Sequence, residues 1–250
     1  MEELKRMKQE YDKYTADDFK VWNLLYERQM KNLPGAASNA YLHGVELFGF
    51  NPDAIPKFED MNKVLKETTG WQLFVVAGLI PEEPFFRLLS NKQFPASTWF
   101  RKLKEIDYLE EPDMFHDTFG HIPLLTNKPF TDFLVEISRL GHRYVGNAYA
   151  IELVSRIYWF TVEFGLIKEE GNVKIYGAGI LSSAGESKYC LSEEAKHLPY
   201  DVDVILNTPY RKDVFQDRYF VIDSYEQLFN SIPQIEASLD REVHKAAAEG

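Results

Sequence analysis

Two histidines five residues apart, His116 and His121, and one glutamate in aromatic surroundings, Glu163, are the residues of this chain best suited to chemistry. The histidines lie in Pro112-Asp-Met-Phe-His116-Asp-Thr-Phe-Gly120-His121-Ile-Pro123. On an unbroken α-helix that spacing turns the side chain by about 140°, so the imidazoles would diverge. Gly120 can end the helix and Pro123 opposes its resumption, so His121 is expected to swing back beside the helix end that bears His116. Glu163 stands in Ile157-Tyr-Trp-Phe-Thr-Val-Glu163-Phe-Gly165. A carboxylate buried there needs a cation or a metal. The helical row Glu152, Arg156, Trp159, Glu163 offers Arg156 as a plain ion-pair partner. Two neutral imidazoles and a carboxylate also form the facial set of non-haem Fe(II) oxygenases. A zinc hydrolase can use the same ligand types. Spacing alone leaves all of these open, along with one buried and one exposed histidine.

The elements that must position these residues follow from periodicity and caps. Thr15 and Asp17 can cap a helix with Phe19, Trp22, Leu25 and Tyr26 on one face. Residues 33–56 read as irregular, punctuated by Pro34-Gly35, Gly49, Asn51-Pro52 and Pro56. Phe58, Met61, Val64 and Leu65 mark a second helix, stopped at Gly70. Trp71 to Leu79 reads as a buried strand and Phe85 to Leu89 as a helical turn. A helix is expected from Asp113 to Phe119, another from Pro129 with the stripe Phe130, Phe133, Leu134, Ile137 and Leu140, and a long apolar one from Ala148 to Phe164 ended by Gly165. Val173–Tyr176 and Tyr219–Ile222 read as strands, and Ser224 with Gln227 as a capping box for the last helix. The expected fold is one mostly helical α+β domain over residues 1–250 with a few short strands. Its ends, residues 1–14 and 241–250, are expected to fray.

The formal net charge, 28 − 39 = −11, argues against nucleic acid and anionic membrane surfaces as partners. Cys190 is the one cysteine, which excludes an intrachain disulfide and suits a reducing cytoplasm. No apolar run is long enough to span a membrane. Aromatic residues reach 14%, enough for a Phe- and Tyr-built core or an aromatic pocket.

Three longer motifs extend the ligand reading: His116-Asp-Thr-Phe-Gly-His121-Ile-Pro-Leu-Leu, Tyr158-Trp-Phe-Thr-Val-Glu163-Phe-Gly-Leu, and Tyr176-Gly-Ala-Gly-Ile-Leu-Ser-Ser183. With Trp71-Gln-Leu-Phe-Val-Val-Ala-Gly-Leu79 upstream, they resemble in order the pterin-dependent aromatic amino acid hydroxylases. Asp117, where the animal enzymes usually carry Glu, resembles the short bacterial members that act on phenylalanine.

The resemblance implies Fe(II) held by His116, His121 and Glu163, with tetrahydrobiopterin or a related tetrahydropterin beside it. It implies Phe85 stacked on the pterin, Gly78 and Leu79 at its edge, Tyr158 nearby, and Asp117 close enough for a bridging water. It implies the substrate carboxylate on Arg101, braced by Asp113, and the substrate ring against Trp159, Pro112 and His116. Ser182 would hydrogen-bond a histidine ligand and Glu186 would stand behind the site. Lys212 falls where a small or apolar residue is expected for phenylalanine. The implied reaction is hydroxylation of L-phenylalanine to L-tyrosine with O2. Hydroxylation of tryptophan, or of another ring position, is the alternative within the family. Zinc-dependent hydrolysis and non-catalytic amino acid sensing are the alternatives outside it. A monomer without regulatory or tetramerisation domains, served by a pterin-recycling enzyme, completes the expectation.

Overall fold

The computed structural model describes residues 4–107 and 111–249. Helix α1, Ala16–Asn32, starts where expected. Thr15 and Asp18, rather than Asp17, close a reciprocal capping box, and the helix buries Val21, Trp22, Leu25 and Gln29. The charged start is tied down where it is described: Met7 N–H donates to Val75 O at 3.0 Å and Arg6 Nη2 to Leu73 O at 2.9 Å. Residues 1–3 and 250, also expected to fray, lie outside the described residues, while 241–249 are helical.

The stretch 33–56 is not irregular throughout. It contains α2, Asn39–Phe48, with Ser38 as N-cap and Gly49 as C-cap. Small polar residues and glycine that read as loop punctuation are the two caps of a short helix. Its Tyr41 hydroxyl donates to Phe119 O at 2.7 Å, so α2 braces the segment between the two histidines.

Helix α3, Phe58–Thr68, leads into β1, which is only Gln72–Val75. The chain beyond it leaves the strand, and Leu79 is 70% exposed rather than buried. Helix α4, Glu82–Ser90, is longer than the expected turn, and β2, Gln93–Ala96, pairs in parallel with β1. Pro95 disguised β2, since proline forfeits a ladder donor and sits at sheet edges.

Helix α5, Lys128–Arg143, has Asn127 as its cap, and all five residues of its predicted stripe are buried. Helix α6, Ala148–Tyr158, is shorter than expected. Strands β3 (Leu166–Glu169), β4 (Asn172–Ile175), β5 (Lys196–Pro199) and β6 (Arg218–Ile222) form a sheet of order β4-β3-β6-β5. Short helices α7 (Ala178–Leu181), α8 (Glu186–Tyr189) and α9 (Val202–Leu206) connect them. Ser224 caps α10, Tyr225–Asn230, which stops before Pro233; the last helix, α11 (Ile232–Glu249), is separate. The mostly helical α+β class is as read from the sequence, and no described helix is long and apolar enough to cross a membrane.

Candidate metal centre

The histidine pair is presented by a different device from the one its spacing suggested. The helix that begins at Met114 does not end at Gly120. It continues as a π-turn over His116–His121 and then as a 3₁₀ turn over Ile122–Thr126. A π-turn pairs residue i with i+5, so side chains five apart share a face. Gly120 is therefore no helix stop. A Cβ there would lie 2.8 Å from Ala178 O, so its role is to let the start of α7 pass close.

The glutamate is presented the same way. Helix α6 passes into a second π-turn, Trp159–Glu163, closed by Phe164 N–H to Trp159 O at 2.8 Å. This breaks the helical row that joined Glu163 to Arg156. Arg156 pairs instead with Glu152 and donates to Leu206 O, which removes the plain ion-pair reading.

The three side chains converge. His121 Nε2 is 3.1 Å from both Glu163 Oε1 and His116 Nε2, and His116 Nε2 is 3.6 Å from Glu163 Oε2. One donor atom from each residue lies within 4.8 Å of the others. Burial pushes the His116 imidazole down to about 4, against the pull of Glu163, so it is neutral across the physiological range. Burial does not prevail on the remaining two. It would lower His121 and raise Glu163, but their mutual attraction and hydrogen bond prevail, leaving His121 raised and Glu163 lowered. Three buried lone-pair groups facing one point, two of them ring nitrogens, suit a divalent cation better than any single proton they could share. The residues fit a non-haem Fe(II) centre.

Their supports are also in place. Ser182 Oγ lies 2.9 Å from His116 Nδ1 and donates to Ala178 O at 2.9 Å, which leaves Nε2 as the metal-facing nitrogen. Asp113, fully buried, accepts from His116 N–H at 3.1 Å. The same carboxylate binds Arg101 through Nε (2.9 Å) and Nη2 (3.0 Å).

One cavity of about 750 Å³ opens onto the three ligands. Gly78, Leu79, Phe85 and Tyr158 line it, with the Phe85 and Tyr158 rings edge to face at 5.6 Å. Asp117 borders the same space. Its Oδ2 accepts from Ser97 N–H (2.7 Å) and Oγ–H (2.9 Å), yet burial pushes its carboxyl up to about 7. Arg101, Pro112, Trp159, Ser182 and Glu186 line the cavity as well. Of the expected set only Asp113 does not reach the cavity; it stands behind Arg101. Lys212 lies at the rim on an exposed loop. Cys190, outside the site, is fully buried.

Three contributors were not foreseen. Tyr210 stacks on Trp159 at 4.5 Å and 19°, Gln216 accepts from the Trp159 indole N–H at 3.0 Å, and Ser97 holds Asp117. Each is a lone polar or aromatic residue in a loop, with no periodicity to mark it.

Comparison with known proteins adds the following. The family described as biopterin-dependent aromatic amino acid hydroxylase matches residues 7–246. The phenylalanine-4-hydroxylase of Ralstonia nicotianae is 46% identical over 226 residues, spanning 90% of this chain and 72% of that protein. That of Chromobacterium violaceum is 46% identical over 224 residues, spanning 89% and 75%. A crystal structure of the Chromobacterium violaceum enzyme with iron(III) and 7,8-dihydrobiopterin superposes with a TM-score of 0.90 at 44% identity, covering 96% of this chain and 87% of that one.

Proposed function

The chain belongs to the biopterin-dependent aromatic amino acid hydroxylases, and we propose that within this family it converts L-phenylalanine to L-tyrosine, using O2 and a tetrahydropterin at Fe(II). The observation that carries this is the meeting of the three ligand atoms and Arg101 in one aromatic-walled cavity.

In this reading His116, His121 and Glu163 hold the iron. Phe85 offers a ring for the pterin to stack on. Gly78 offers the least bulk at the pterin edge, where nothing comes nearer than 4.0 Å to a Cβ position, and Leu79 and Tyr158 flank it. Asp117 reaches the pterin through a water, since one of its oxygens is committed to Ser97. When bound, the iron and the tetrahydropterin would together supply the electrons and the metal site that activate O2 for hydroxylation. The protein's own part is placement. Arg101 spends Nε and one Nη2 hydrogen on Asp113 and reaches Ile106 O from Nη1 at 3.5 Å; the second hydrogens of Nη1 and Nη2 are left to receive the substrate carboxylate by two parallel bonds. Pro112, Trp159 and the His116 ring then wall the substrate ring, and the buried surroundings of Glu163 keep water away from the reacting atoms.

Residues 4–249 act as one catalytic unit in this reading, as a monomer in the cytoplasm. A separate reductase regenerates the tetrahydropterin, because each turnover consumes one. The test is to incubate Fe(II)-loaded protein with phenylalanine, O2 and a tetrahydropterin and to measure tyrosine, with tryptophan in parallel and Glu163→Ala as control. Tyrosine from the parent and none from the control supports the reading. A folded, iron-loaded parent that yields none defeats it.

A further inference from the structure

The least expected connection at the site runs through one amide. Gln216 is 5% exposed, at the end of the loop that joins α9 to β6. Its Oε1 accepts from the Trp159 indole N–H at 3.0 Å. Its Nε2 donates to Arg211 O at 2.8 Å and to Val214 O at 3.2 Å. This orientation is forced, because the indole can only donate and the two carbonyls can only accept. Its backbone N–H donates to Glu186 Oε1 at 3.0 Å, the same buried oxygen that takes the Tyr219 hydroxyl.

Each of these ties bears on the cavity wall. Trp159 opens the π-turn that ends at Glu163; Tyr210 stacks on its ring at 4.5 Å and Phe164 packs against it, tilted by 33°, at 4.7 Å. These ring contacts restrain the plane of the indole but not its rotation within that plane. The hydrogen bond to Gln216 fixes the rotation. The two bonds to Arg211 and Val214 draw the otherwise exposed loop 211–215 onto the same anchor. No other residue type satisfies all three contacts. Leucine would leave a donor and two acceptors unpaired, and glutamate would set a carboxylate against two carbonyl oxygens.

We infer that Gln216 is a positioning residue for the aromatic substrate: its amide sets the rotation of Trp159 and the seat of loop 211–215, and through them the place of the substrate ring relative to the iron. The inference rests on the reading above that Trp159 walls the substrate ring. None of the hydrogen bonds of Gln216 goes to His116, His121 or Glu163, which separates it from the metal ligands.

The experiment compares the parent with Gln216→Leu and Gln216→Glu, each loaded with Fe(II). Iron content, melting temperature, KM for phenylalanine, tyrosine formed per tetrahydropterin oxidised and the position of the new hydroxyl are all measured. Iron content is expected to hold, while tyrosine per pterin falls roughly tenfold or more and KM rises, because a small displacement of a reacting ring is costly. Unchanged product ratio and KM in folded variants would overturn the inference, as would loss of iron in both variants, which would make the role merely structural. If Gln216→Leu does not fold, Gln216→Glu decides by the same comparison. If the parent makes no tyrosine, the substrate reading fails, and the indole N–H resonance of Trp159, assigned with Trp159→Phe, decides the inference separately. Phenylalanine should shift that resonance in the parent and leave it unmoved in the variants; an unmoved parent resonance would reject it.

Discussion

Asp113 and Arg101 are joined through both ends of the aspartate carboxylate: Oδ2 accepts from the Arg101 Nε and backbone N–H at 2.9 and 3.0 Å, and Oδ1 accepts from Nη2 at 3.0 Å. Oδ1 also takes the backbone N–H of His116. One buried carboxylate therefore fixes both the residue proposed to hold the substrate and the start of the turn proposed to hold the metal. Asp113→Ala is expected to leave a buried guanidinium without its partner and to cost about 3–5 kcal/mol of stability. Arg101→Lys keeps the charge but loses the fork. It should fold and raise KM for phenylalanine, with a loss in kcat/KM of about 1.5–3 kcal/mol. Denaturant titration and steady-state kinetics check the two; a lysine variant with the parent's KM would remove Arg101 from substrate binding.

Ser182 meets the proposed metal site through His116 Nδ1. Ser182→Ala should therefore leave the fold intact and lower iron affinity by about 10–100-fold, the usual effect of losing a ligand's outer hydrogen bond. Competition with a chelator of known strength measures this. Equal affinities in parent and variant would show that packing alone orients the imidazole.

The bend after Glu163 tolerates no side chain at Gly177, where a Cβ would lie 2.4 Å from Glu163 O and 2.5 Å from Gly165 N. Both are backbone atoms, so they cannot yield by rotating. Gly177→Ala is expected to displace the Glu163 backbone, to cost about 1–3 kcal/mol and to weaken iron retention more than Ser182→Ala does. Iron content after dialysis, read beside a thermal melt, tests both halves.

Burial raises the Glu186 carboxyl above its ordinary value, against the hydrogen bonds from Tyr219 and Gln216. A group that binds its proton more tightly when folded contributes stability below its unfolded pKa, and that contribution is lost as pH rises through the folded one. Glu186→Gln keeps an oxygen for both donors and has no charge to bury. Between pH 4 and neutrality the parent should therefore lose ground in melting temperature against the variant. A difference that stays flat across that range would mean that Glu186 titrates as an ordinary carboxyl.

How far the site could be read beforehand follows from the nature of each signal. Residue types and spacing left the metal reading open; the long motifs around His116, Glu163 and Ser182 named the ligands and their support through their resemblance to a known family. The stripe of α5 was legible because burial repeats along one face. The winding around the ligands was not, because a π-turn and a helix break share the same residue spacing; only the bond from Phe164 to Trp159 separates them in the second turn. Helix α2 was hidden because its caps, Ser38 and Gly49, are also loop residues. Gln216 was hidden because its importance lies in three partners, none adjacent to it in a recognisable pattern.

The two π-turns carry one more consequence. This winding is rarer than the α-helix, and contacts from the surrounding chain help to hold it. Here the tight fit of Gly120 under Ala178, the Tyr41 hydroxyl on Phe119 and the crossing at Gly177 do so, and all are made by protein atoms alone. The ligand cradle is then braced by the chain itself, like a socket whose shape does not depend on the bulb. Its shape does not select iron, and other divalent ions of similar size should seat in it without reshaping the fold. The identity of the metal in a cell would be decided by supply and by binding strength, and catalysis would act as the filter that tells the right occupant from the wrong one.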